Sequence, residues 1–184
     1  MLDNRSELEQ VLSDRDVLGA VFARHAYGMR RWVDLFSERI SQIDDPYVTE
    51  LVAEIVAVNA RHAVLFRERA IAHGIDPGAY VCPPEGEQIY QYLAPLEGDD
   101  TLAYALGSLE HFRDLLAVYS EAAVDPDDAV VLSIVRADND AALARLREFA
   151  RGTDGPAAAA AAAAAHELYR LRELAETPLY ASRV

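Results

Sequence analysis

The chain contains no lysine. All 17 of its basic residues are arginine, against 31 aspartates and glutamates, for a formal net charge of −14. Schiff-base lysine chemistry is thereby excluded. So acidic a balance also speaks against nucleic acid and anionic membrane as partners, since both reward basic surfaces. One cysteine, Cys82, makes neither an internal disulfide nor a cysteine zinc site. No apolar run reaches membrane-spanning length, and the opening residues MLDNRSELEQ are polar. Neither a spanning helix nor a signal peptide is expected, and the chain reads as a cytoplasmic protein.

What is present is enough for a core: 184 residues, 52% of them hydrophobic. Apolar residues recur at three-four spacing, the mark of α-helices that bury one face. A first helix is expected over 6–43, with a break near Ser13, and its stripe runs through Leu18, Val21, Phe22, His25, Met29, Trp32, Phe36, Ile40 and Ile43. Ser6 with Glu9 fits a capping box, and Ser13 with Asp16 offers a second start. Asp45 and Pro46 open a second helix that closes at Gly74, and so short a turn makes the two antiparallel. Its stripe is Leu51, Ile55, Val58, His62, Leu65 and Arg69.

Residues 75–100 are rich in proline and glycine, with room for a short helix at EGEQIYQYL. Extended, this segment spans roughly 80 Å at about 3.3 Å per residue, enough to return along a helix of about 42 Å. A third helix over 102–122 would then run parallel to the second. It starts at Asp99, Asp100 or Thr101 and carries Leu102, Leu106, Leu109, Phe112 and Leu116. Asp125 and Pro126 open a fourth helix, with the stripe Val131, Ile134, Val135, Asp138, Ala142, Leu146 and Phe149. Gly152 and Gly155 end the bundle. The expected domain is thus 1–152, followed over 153–184 by a linker, a helix with nine consecutive alanines and a tail. Alanine favours helix but offers little to pack, so that helix reads as docked appendage, oligomer interface or plain spacer.

Polar residues interrupt these stripes. His25, His62 and Asp138 stand inside them, and Glu110 with His111 stands beside the third. Counted from one end of the bundle, each lies 11 to 13 residues in, roughly 16 to 20 Å at 1.5 Å per residue. Four interior polar groups in one layer either satisfy one another or hold a metal. Imidazole with carboxylate suits iron, manganese or zinc.

The arrangement resembles the ferritin-like superfamily, an all-α four-helix bundle of up-down-down-up topology with a long crossover between its second and third helices. The resemblance covers residues 14–150, with the C-terminal helix added. In that family the helices carry Glu, Glu-x-x-His, Glu and Glu-x-x-His around two metals. Here His25 falls on the first Glu, and Asn59-Ala60-Arg61-His62 keeps only the His of the first motif. Glu110 matches the third-helix Glu, while Asp138-Asn139-Asp140-Ala141 has a shortened acid and no His. Two divalent ions need several anionic ligands, so the resemblance implies one iron or manganese held by His25, His62, Glu110 and Asp138. Asn59 and His111 would then contact a ligand or the substrate. The implied function is a metal-dependent oxidoreductase or oxygenase acting on a small molecule. The alternative is a metal-free bundle that binds a small molecule or another protein, a second copy included.

Other residues have plainer readings. Tyr27, Met29, Trp32 and Tyr104 line a pocket or fill the core. Tyr80, Tyr90 and Tyr92 form a lid or anchor the crossover. His73 caps a helix, His166 is solvated, Cys82 is inert, and the acidic runs complement helix dipoles.

Overall fold

Helix boundaries follow local chemistry. In the computed structural model, which describes residues 5–150 and 156–181, the order is α1 (Arg5–Leu12), α2 (Arg15–Ile40), α3 (Pro46–Ala72), a 3-10 turn (Pro77–Ala79), α4 (Pro84–Leu93), α5 (Gly98–Ala122), α6 (Pro126–Ala150) and α7 (Pro156–Ala181). Among these residues the fold is all-helical, with no strand. No helix among them is long and apolar enough to cross a membrane. Gly152 and Gly155, read as the end of the bundle, lie outside the described residues.

The expected first helix is two. Asp14, not Ser13, caps α2, its Oδ1 accepting from the Asp16 and Val17 amides at 2.8 and 3.3 Å. Ser13 turns back instead, donating to the Gln10 carbonyl at 2.7 Å. Ser6 lies inside α1, where the stabilising pair is Arg5–Glu9 at 2.6 Å. The short helix expected in the crossover is α4. The third helix begins at Gly98, so Thr101 is a buried helical residue and not a cap. The chain divides into two compact units, Asp14–Val81 and Met1–Ser13 with Cys82–Val184.

In the unit 14–81, α2 and α3 form an antiparallel hairpin. Asp45 caps α3 and Pro46 takes its first turn, as expected. At the other end Gly74 adopts φ +79° and the Ile75 amide donates to the Ala70 carbonyl at 3.0 Å. This left-handed stop closes the last turn, and glycine takes it without strain. His73, the capping residue, is buried and donates from Nδ1 to the Arg15 carbonyl at 2.9 Å. That bond ties the end of α3 to the start of α2. Gly19 permits the approach, since a Cβ there would lie 2.5 Å from His73 Cβ. Phe22 stacks on Phe66 with ring centroids 5.8 Å apart, filling the seam.

In the other unit α5 is the central helix, buried on most of its circumference. It packs most extensively against α7, then α6 and α1. The contacts Gly107–Ala162, Glu110–His166 and His111–Glu173 advance together along both chains, so α5 and α7 run in the same direction. A Cβ at Gly107 would stand 2.3 Å from the Ala162 carbonyl oxygen. The alanine run is therefore a packing surface: Ala161 and Ala165 are buried, and small side chains let two backbones meet. Its docking, and not a spacer role, is what the geometry displays.

Candidate functional site

The α3 stripe is rotated slightly from expectation. Its buried members are Val48, Leu51, Val52, Ile55, Asn59, His62, Phe66 and Ala70, so Leu51, Ile55 and His62 are buried as expected and Asn59 joins them, while Val58 and Leu65 flank the stripe. Asn59 spends its amide on its own helix, donating from Nδ2 to the Ile55 carbonyl at 2.8 Å. His25 is buried on α2, and its ring lies against Phe66, centroids 5.3 Å apart. Phe66 is one turn beyond His62, so the hairpin supplies two buried imidazoles on facing helices.

The larger unit corrects the α6 stripe. Its buried residues are Asp128, Leu132, Val135, Asn139, Leu143 and Leu146, a strict three-four series. Asn139 and not Asp138 is the polar residue within it; Asp138 is half-buried at the edge. Asn139 Nδ2 donates to the Leu109 carbonyl at 3.2 Å, joining α6 to α5. On α5, His111 is the inward residue and Glu110 the half-buried one.

Glu110 is fully engaged. Its Oε1 accepts from Arg147 Nη2 at 2.9 Å, and its Oε2 faces His166 Nε2 at 3.3 Å. His166, expected to be solvated, is thus a partner of α5. Burial draws the Glu110 carboxyl pKa upward, but the hydrogen bonds and charges of Arg147 and His166 outweigh it and hold it below the usual range. A lowered folded-state pKa stabilises the fold above the unfolded value of about 4.3, and that contribution is lost as pH falls through the folded value. Glu110→Gln is accordingly expected to lower the urea midpoint at pH 7, by about 1 kcal/mol or less for so exposed a pair. The two midpoints should converge below about pH 4. A difference that persists in acid would show that ionisation is not its source.

Sequence reasoning missed the charged side of α7. Arg172, Glu173, Glu176 and Thr177 are all buried. His111, 4% exposed, donates from Nε2 to Oε1 of Glu173, 1% exposed. The His111 ring also meets Tyr169 and His166, centroids 5.7 and 6.1 Å apart. Arg172 pairs with Glu176 at 3.4 Å and donates from Nη1 to the Tyr90 hydroxyl at 3.4 Å. Burial pushes the Tyr90 phenol well above its ordinary pKa despite the opposing pull of Arg172, and burial does the same to Tyr104. Both remain protonated donors near neutrality. Tyr104 donates to the Ile89 carbonyl at 3.3 Å and stacks on Tyr92 at 5.5 Å, so these tyrosines anchor α4. A signal was available: residues 172, 173, 176 and 177 share the phase of Ala161, Ala165 and Tyr180. Their charge hid it.

One more feature belongs to α5. Thr101 and Ser108 are seven residues apart on one face, with His111 three further on. Both hydroxyls are buried and find no hydrogen-bond partner among the described residues. An unpaired buried hydroxyl costs about 1–3 kcal/mol. No family model matches the chain, and no curated protein or solved structure is significantly similar to it.

Proposed function

We propose that the chain is a divergent ferritin-like bundle that has given up metal chemistry at His25, His62, Glu110 and Asp138. In this reading it binds a small polar molecule on the α5 face of Thr101, Ser108 and His111. The observation that carries it is Glu110, both of whose carboxylate oxygens are already engaged, one by Arg147 and the other by His166. A metal would have to displace an arginine to use it. Asp138 off the buried stripe and Asn59 committed to Ile55 point the same way. The residues therefore do not fit the single iron or manganese that the resemblance implies. The ferritin-like assignment itself rests on the order of helices along the chain and on the long segment between α3 and α5.

A polar guest is favoured because Thr101 and Ser108 offer hydroxyls that the described residues leave unpaired. Ser108→Ala is expected to be neutral or stabilising in the ligand-free protein. It should also abolish the melting-temperature rise given by polar compounds that bind the wild type. Compounds whose effect survives both Ser108→Ala and Thr101→Val would overturn the assignment of this face. Iron or manganese at one equivalent per chain, after replete growth, and lost in His62→Ala, would overturn the metal-free reading.

A further inference from the structure

Asn139, 2% exposed on the buried stripe of α6, uses only half of its carboxamide. Its Nδ2 donates to the Leu109 carbonyl at 3.2 Å. A carbonyl oxygen can only accept, so the amide nitrogen must face it and Oδ1 must point away. Oδ1 is buried and finds no hydrogen-bond partner among the described residues. The bond to Leu109 fixes where this acceptor stands: against α5, at the residue that follows Ser108.

Thr101 and Ser108 leave their hydroxyls in the same condition. Two helices of one compact unit thus supply three buried polar groups to be satisfied, and all three are neutral. Their needs differ. A hydroxyl donates or accepts as its proton turns, whereas Oδ1 accepts only. The demand that all three share is for a donor. Burial disfavours charge as well, since an ion would shed its hydration against neutral groups. The buried ions that α7 brings to this unit are already matched, Glu173 with His111 and Arg172 with Glu176.

We infer, on the polar-guest reading of Thr101 and Ser108, that Asn139 completes this site and selects its guest. The guest is a small neutral molecule with O–H or N–H donors, a polyol or a primary amide in kind. Ionised carboxylates, which are charged and only accept, are rejected.

Three probes of one size separate these demands. Propanamide and N,N-dimethylformamide are isomers that share a carbonyl acceptor, and only propanamide has N–H donors. Propanoate matches the shape of propanamide but carries a charge. Each is titrated into the full chain while NMR follows the backbone amides of Ser108 and Leu109 and the side-chain amide of Asn139. Propanamide should give saturable shifts. N,N-dimethylformamide should bind about tenfold more weakly or worse, because it leaves a buried acceptor unpaired, and propanoate should give no shift. Asn139→Leu, with its folding verified by circular dichroism, should bring propanamide down to the level of its isomer; the isomer comparison in the wild type needs no variant. N,N-dimethylformamide or propanoate binding as tightly as propanamide, with all shifts lost in Ser108→Ala, would overturn the donor selection and leave the α5 site in place. A preference for propanamide that survives Asn139→Leu overturns the role of Asn139. Propanamide shifts unchanged in Ser108→Ala, or no saturable shift from any probe, overturn the site itself.

Discussion

Glu173→Ala is expected to destabilise the fold by about 1–3 kcal/mol, because it leaves a buried imidazole N–H without its carboxylate acceptor. His111 and Glu173 come from α5 and α7 and are 4% and 1% exposed, so water cannot take over the lost contact. The asymmetry of such pairs supplies the control. Removing both partners, with His111→Leu and Glu173→Leu together, should recover most of the loss, since an apolar pair of similar volume leaves nothing unpaired. Urea unfolding of the wild type, both single variants and the double variant closes the cycle. Additive losses would mean that the two groups do not act as a pair.

Gly107→Ala should cost about 1–3 kcal/mol, although alanine is the better helix former by about 1 kcal/mol. The new methyl would meet the Ala162 carbonyl oxygen at 2.3 Å and its Cα at 3.0 Å. These are backbone atoms and have no rotamer to yield. α5 and α7 would have to separate, loosening His111 and Glu110 from their α7 partners as well. Ala162→Gly cannot rescue the variant, because the obstructing oxygen belongs to the main chain. Thermal unfolding of Gly107→Ala with and without Ala162→Gly measures this directly. Stability equal to wild type would mean that the helices sit further apart than described.

Element ends were the most legible part of the molecule. Asp45-Pro46, Asp125-Pro126 and Gly74 each specify a helix boundary through local hydrogen bonding, so neighbours in sequence suffice to read them. Stripe phase was harder on α6, where Val131 and Ile134 compete with Leu132 and Val135 for the core. Only the packed partner decides, and it chose the phase that buries Asn139. Glu110 and His111 pose the same problem at adjacent positions. The buried charges of α7 were the least legible. Arg172 and Glu173 look solvated until Tyr90 and His111, 82 and 62 residues away, are seen beside them. Solvation is the right default for an unpaired charge and fails only when the partner is remote in sequence.

The nine alanines carry a further consequence through α7. Ala162 is fixed against Gly107, and Glu173 against His111, eleven residues later. Eleven residues make about three helical turns, so both anchors point the same way. The tract between them is a ruler. One residue more or fewer between Ala165 and Glu173 would turn everything beyond it by about 100° and move it about 1.5 Å along the axis. Arg172 and Glu176 would swing out of phase with Tyr90, and Glu173 with His111. Any alanine of the 157–165 run presents the same methyl to Gly107, so the fixed count is the one between Ala165 and Glu173.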